Sequence, residues 1–82
     1  MEAPTINKIL KPAVEEKTLH HISTTSLKCF YFSRMNDIVF DDEHEVLKWR
    51  SIDDGMNYYA DYTDINMIVC KDTPDQEIPR YY

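Results

Sequence analysis

Residues 41–60 read DDEHEVLKWRSIDDGMNYYA, and the fold class turns on them. Trp49, Ile52, Met56 and Tyr59 recur at intervals of three, four and three, with Val46 and Ala60 on the same side. That is the periodicity of an amphipathic helix. Asp41 and Asp42 suit the N-cap, and Glu43 and Glu45 follow where the helix dipole favours acids. Gly55 is the objection, because glycine costs about 1 kcal/mol against alanine in a helix interior. Asp54-Gly55 is also a favoured hairpin turn, which offers strands at 46–50 and 56–62 instead. A single glycine in the whole chain is little for a meander with several tight turns. The reading is therefore one main helix near 42–60, broken around 51–55.

Outward from that segment, residues 24–33 are rich in β-branched and aromatic types and read as a strand. Met35-Asn36-Asp37 supplies turn chemistry before a short partner strand at 37–40. Residues 65–71 hold the continuous apolar centre Met67-Ile68-Val69-Cys70, which suggests a strand buried on both faces or one central in the sheet. The expected fold class is α+β: a small, mostly antiparallel sheet, with strands near 24–33, 37–40 and 65–71, packed on the main helix. An all-β meander is the alternative. Residues 1–23 form an N-terminal arm or short helices, with Ile6, Ile9 and Leu10 on one helical side. Residues 24–72 form the folded core, and 73–82 an extended tail. No internal repeat and no low-complexity tract is read.

Eighty-two residues make one domain. A 43% hydrophobic content with ten aromatics sets it apart from disordered chains. The longest apolar runs are four residues, Cys29–Phe32 and Met67–Cys70, whereas a membrane span takes about 20. The two cysteines lack metal spacing, and two free thiols suit a reducing compartment, the cytoplasm or a host cytoplasm if the chain is viral. Charge is unevenly placed. Residues 1–36 carry three acids against five bases, and residues 37–82 carry twelve acids against four. Such a surface repels nucleic acid and anionic membranes and attracts basic partners.

No constellation reads as catalytic. The pairs Asp41-Asp42 and Asp53-Asp54 point in different directions on a helix, and His20, His21 and His44 lack zinc spacing. The single glycine excludes a phosphate cradle, so no metal and no cofactor is expected. The most suggestive arrangement interleaves Tyr58, Tyr59 and Tyr62 with Asp53, Asp54, Asp61 and Asp64. On a helix, Tyr59 faces the core while Tyr58 and Tyr62 face out among the acids, ring as anchor and carboxylate for steering. The candidate partner-binding set is Asp41, Asp42, Glu43, Glu45, Asp53, Asp54, Tyr58, Asp61, Tyr62 and Asp64.

The functional expectation is a small acidic, non-enzymatic domain that binds a basic surface of another protein. Its sharp form is an inhibitor whose carboxylates stand in for phosphates and block a nucleic-acid-handling protein. In size, charge and lack of motifs the chain resembles small acidic phage-encoded inhibitors of defence or transcription enzymes. The alternative is an adaptor or structural subunit held through its terminal arms, 4–11 and 79–82. Unpaired strand edges in so small a sheet also allow a homodimer.

Overall fold

The computed structural model describes residues 1–26 and 28–75. It is α+β, with strands dominant: one helical run packed against two three-stranded antiparallel sheets. The helical run α1, residues 3–15, comprises α-helical Ala3–Thr5 and Lys11–Glu15 around a wide π turn at Ile6–Leu10. Pro12 explains the wide turn. It has no N–H to continue the helical ladder, and its ring needs room against the preceding turn. The Lys11 N–H accordingly reaches the carbonyl of Ile6, five residues back. Ile6, Leu10 and Ala13 are buried along one side, while Ile9 is left outside. The helix ends in a Schellman arrangement: Lys17 at φ 59°, with Lys17 N–H to Val14 O and Thr18 N–H to Ala13 O.

The strands are β1 Leu19–Thr24, β2 Cys29–Tyr31, β3 Met35–Asp41, β4 Val46–Ser51, β5 Asn57–Asp61 and β6 Ile65–Cys70. One sheet has the order β2-β1-β6 and the other β3-β4-β5. The helix expected near 42–60 is absent, and the rival hairpin stands in its place. Period two prevails over period three to four: Leu47, Trp49 and Ser51 point inward on β4, and Ala60 on β5. Ile52, Met56 and Tyr59, the other members of the helical stripe, are exposed. Asp53-Asp54-Gly55 makes the turn. Gly55 takes φ 71° and gives its N–H to the Ser51 carbonyl, and Asp54 Oδ1 accepts the Met56 N–H. Asp41 and Asp42 start a second turn instead of capping a helix. Asp41 Oδ1 accepts the His44 N–H, and Glu45 closes the turn at φ 53°.

The strand read at 24–33 is two shorter pieces joined by a turn. Thr24 ends β1 while Cys29–Tyr31 is β2, with Leu27 outside the described residues. The strands read at 37–40 and 65–71 stand, as β3 and β6, but β6 is an edge strand with Met67 and Cys70 exposed, so its apolar run does not mark burial on both faces. Residues 1–23 are packed into the globule: Ile6, Leu10, Leu19 and Ile22 belong to its core, and β1 is the central strand of its sheet. Of the tail read at 73–82, residues 76–82 lie outside the described residues.

The chain does contain a repeat. Residues 32–39 read FSRMNDIV and residues 62–69 read YTDINMIV, thirty apart. Each opens with a 3-10 turn, Phe32–Arg34 or Tyr62–Asp64, that leads from the second strand of a hairpin into a third strand. The pairing register shifts in both, at Asn66 in one and just after Asn36, at residues 37–38, in the other, the sign of a bulge. The two halves exchange third strands. β6 pairs with β1 of the first half, and β3 pairs with β4 of the second. Equivalent backbone bonds tie the halves together, Ile52 N–H to Arg34 O at 3.0 Å and Thr25 N–H to Asp64 O at 2.8 Å. The edge strands β2 and β5 meet through rings: Phe30 lies 5.3 Å from Tyr58 and 4.8 Å from Trp49, and Tyr58 stacks on Trp49 at 5.8 Å.

Candidate partner-binding site

The outer face of the β3-β4-β5 sheet carries three cross-strand rows. They are Asp41–Val46–Asp61, Val39–Lys48–Tyr59 and Asn36–Arg50–Asn57. Alternation places them, since residues two apart on a strand share a face. Tyr59 is 67% exposed. Beside it a groove of about 510 Å³ is lined by Asp41, His44, Val46, Lys48, Tyr59, Asp61 and Asp64. A crevice of about 320 Å³, lined by residues 24–26, Lys28, Phe30, Trp49, Tyr58–Ala60 and Asp64, shares Tyr59 and Asp64 with it. The outer face thus presents one ring between two concavities.

The predicted residues do not form one face. The β3–β4 turn holds Asp41, Asp42, Glu43 and Glu45, and Asp61 and Asp64 join its end of the hairpin through the larger groove. Asp53 and Asp54 sit in the β4–β5 turn at the other end. The six residues of β4 separate the groups by roughly 20 Å, at about 3.3 Å per residue.

Several of these acids are already engaged. Asp42 pairs with Lys11 Nζ and accepts the Tyr62 hydroxyl at 2.8 Å; the Lys11 contact first, then the phenol, holds its carboxyl below the usual range. Asp41 accepts the His44 N–H and contacts the His44 ring at 3.0 Å and Lys48 at 3.3 Å, and the His44 backbone bond is the main cause of its lowered pKa. Asp53 faces Arg34 at 3.6 Å. Asp54 takes the Tyr58 hydroxyl at 2.5 Å, which lowers its own pKa and raises that of the phenol.

The tyrosines are ordered differently from the helical expectation. Tyr62 is 1% exposed: it lies in the core with only its hydroxyl reaching Asp42, and burial before all else raises its pKa. Tyr58 is half-buried in the aromatic seam. Tyr59, assigned to the core by the helical reading, is the exposed ring, with the Lys48 ammonium 5.9 Å from its centroid. Strand phase inverts the roles. A period-two reading of 57–61 marks Tyr59 as outward directly.

A second cluster lies on the other sheet. His20 and His21 meet Nδ1 to Nδ1 at 2.7 Å and both pack on Tyr31, while Ser23 Oγ and Cys29 Sγ are 3.2 Å apart. Burial, and then His20, lowers the pKa of His21. Among the described residues no three histidine, cysteine or acidic side chains are grouped to hold a metal, and no helix is long and apolar enough to cross a membrane. Cys29 and Cys70 are both free.

The chain matches no protein-family model, no curated protein and no solved structure.

Proposed function

We propose that this is a non-enzymatic protein-binding domain that docks a basic surface of another protein on the Tyr59 face of its second sheet. The observation that carries the reading is Tyr59 itself, an exposed ring between two concavities bordered by Asp41, Asp61 and Asp64. An aromatic side chain loses little conformational entropy on binding and supplies contact area, and flanking carboxylates steer a cationic partner. The rest of the acidic turn, Asp42, Glu43 and Glu45, extends the same field. Asp53 and Asp54 lie outside this footprint. The free thiols suit a reducing compartment, so a cytoplasmic partner is proposed.

The sharp form, blockade of a nucleic-acid-handling protein by carboxylates in place of phosphates, belongs to the same surface and predicts competition with nucleic acid. The adaptor alternative has less to use at the N-terminus, where Ile6 and Leu10 are core residues. The test is affinity capture from lysate at low and at molar salt, using the natural chain, a Tyr59→Ala/Asp61→Asn variant and an Asp53→Asn/Asp54→Asn control. A basic protein held at low salt, released at high salt, lost in the first variant and kept in the control is the expected result. Equal loss in both variants, or salt-insensitive capture, rejects the footprint. Displacement of the captured protein by duplex DNA decides whether the mimic form holds.

A further inference from the structure

The repeat creates two equivalent crevices, one at each end of the Phe30–Trp49–Tyr58 seam, and they differ in one respect. Beside the Ile52–Arg34 backbone bond, the crevice lined by Phe30, Tyr31, Arg34, Ser51 and Asp53 retains about 50 Å³. There the Arg34 side chain lies against Asp53, Nε to Oδ1 3.6 Å. Beside the Thr25–Asp64 bond, the repeat puts Asp64 where the first half has Arg34, and Ser26 where the second half has Asp53. Among the described residues no arginine occupies the corresponding place in this second crevice, where Lys28 is the cation in the lining, and about 320 Å³ stays open.

We propose that the open crevice takes one arginine side chain of the partner, its guanidinium paired with Asp64 and its plane against the aromatic side of the crevice. The inference rests on the reading of this face as a docking site for a basic protein and names the group that docks. Three observations carry it. The smaller twin carries a guanidinium beside an acid at its rim, Arg34 against Asp53, with both side chains more than half exposed. Asp64 is oriented by the Thr25 hydroxyl at 3.3 Å, with its carboxylate still exposed to a second donor. Aromatic walls favour a delocalised, weakly hydrated cation over an ammonium. Lys28 also lines the crevice and opposes the cation, but it is exposed on a long flexible stem, and Asp41 and Asp61 add negative charge from the adjoining groove.

Trp49 is the only tryptophan, so its fluorescence reports on the crevice directly. The probe is the capped tripeptide acetyl-Gly-Arg-Gly-amide, with the citrulline peptide as its uncharged counterpart, followed by Trp49 emission and by amide shifts. The expected result is saturable binding of the arginine peptide, shifts at 24–26 and 58–64, and at least tenfold weaker binding of the citrulline peptide and of Asp64→Asn. Lys28→Gln is expected to tighten binding. Ser26→Asp/Asp64→Arg rebuilds the smaller twin and is expected to abolish binding while keeping the near-ultraviolet signal of a folded core. Equal response to both peptides, or unchanged binding by Asp64→Asn, overturns the arginine pocket. If it is overturned while salt-sensitive capture through Tyr59 and Asp61 persists, the docking face stands without this pocket. Loss of that capture instead removes the docking reading itself.

Discussion

Backbone angle decides two residues that composition leaves neutral. Lys17 and Gly55 both occupy the left-handed region, at φ 59° and 71°, but only one of them is glycine. An L-residue pays roughly 1–2 kcal/mol there. Lys17→Gly is therefore expected to raise stability, by about 1 kcal/mol less the extra entropy that glycine brings to the unfolded chain. Gly55→Ala is expected to lower it by about 1 kcal/mol, although a Cβ at Gly55 would meet nothing within 4 Å. Urea unfolding of the two variants checks the opposite signs. Gly55 was legible in the sequence as a turn signal. Nothing about Lys17 as a residue type announces a positive φ, because that angle is set by where the helix has to stop and turn into β1.

Patterning explains the helical run and the central hairpin, and it explains why the hairpin was misread. In residues 46–60 the apolar side chains satisfy a helical stripe and a strand alternation at once. A period alone does not choose between them. The hairpin wins because Leu47, Trp49, Ser51 and Ala60 all find an interior, and because the Asp53-Asp54-Gly55 turn satisfies its own N–H groups at Ser51 and Asp54. For α1, Ile6, Leu10 and Ala13 go inside at the four-and-three spacing of a helical stripe, and Ile9 stays out. Leu10→Ala should cost about 2–5 kcal/mol, a large part of the stability of so small a domain. Ile9→Ala, one residue away but exposed, should change it by less than about 0.5 kcal/mol. Thermal unfolding of the pair tests which side of α1 is buried.

At the scale of the whole molecule, exchange of the third strands makes the halves interdependent. Each sheet draws its outer strand, β6 or β3, from the other half. A chain cut between Glu43 and His44, in the exposed β3–β4 turn, should give fragments 1–43 and 44–82 that each retain only a two-stranded hairpin and stay largely unfolded, since such hairpins are marginal alone. Mixing the fragments should restore the far-ultraviolet spectrum of the intact chain. Acid should act globally too. Asp41, Asp42 and Asp54 have pKa values below 3.8 in the folded state, so their contribution is present above that value and lost as pH falls through the folded values. His21 is lowered from 6.5, so it too costs stability when the pH drops below 6.5 and the unfolded chain takes up the proton first. Tyr62, raised from 10.0, acts in the opposite range: its contribution is lost as pH rises above 10. Urea midpoints should therefore fall on both sides of neutrality, and Lys11→Met should flatten the acid limb in which Asp42 takes part.

The sequence by itself determined the class, the acidic second half, the strands at 37–40 and 65–71 and the helical N-terminal stretch, and it offered the turn at Gly55 only as the rival to a helix. Those features are local, carried by composition, β-branching, turn chemistry and charge. It also carried the repeat, as FSRMNDIV and YTDINMIV, though conservative replacements such as Phe32 for Tyr62 and Met35 for Ile65 hid it. Only the tertiary structure decided that 46–60 is a hairpin, that the halves exchange strands, that Tyr62 is core while Tyr59 faces out, and that the ten candidate residues divide between two ends. The reason is the same each time. Whether a side chain is inside depends on what the rest of the chain packs against it, and strand pairing between residues such as Leu19 and Cys70 leaves no mark on the sequence near either of them.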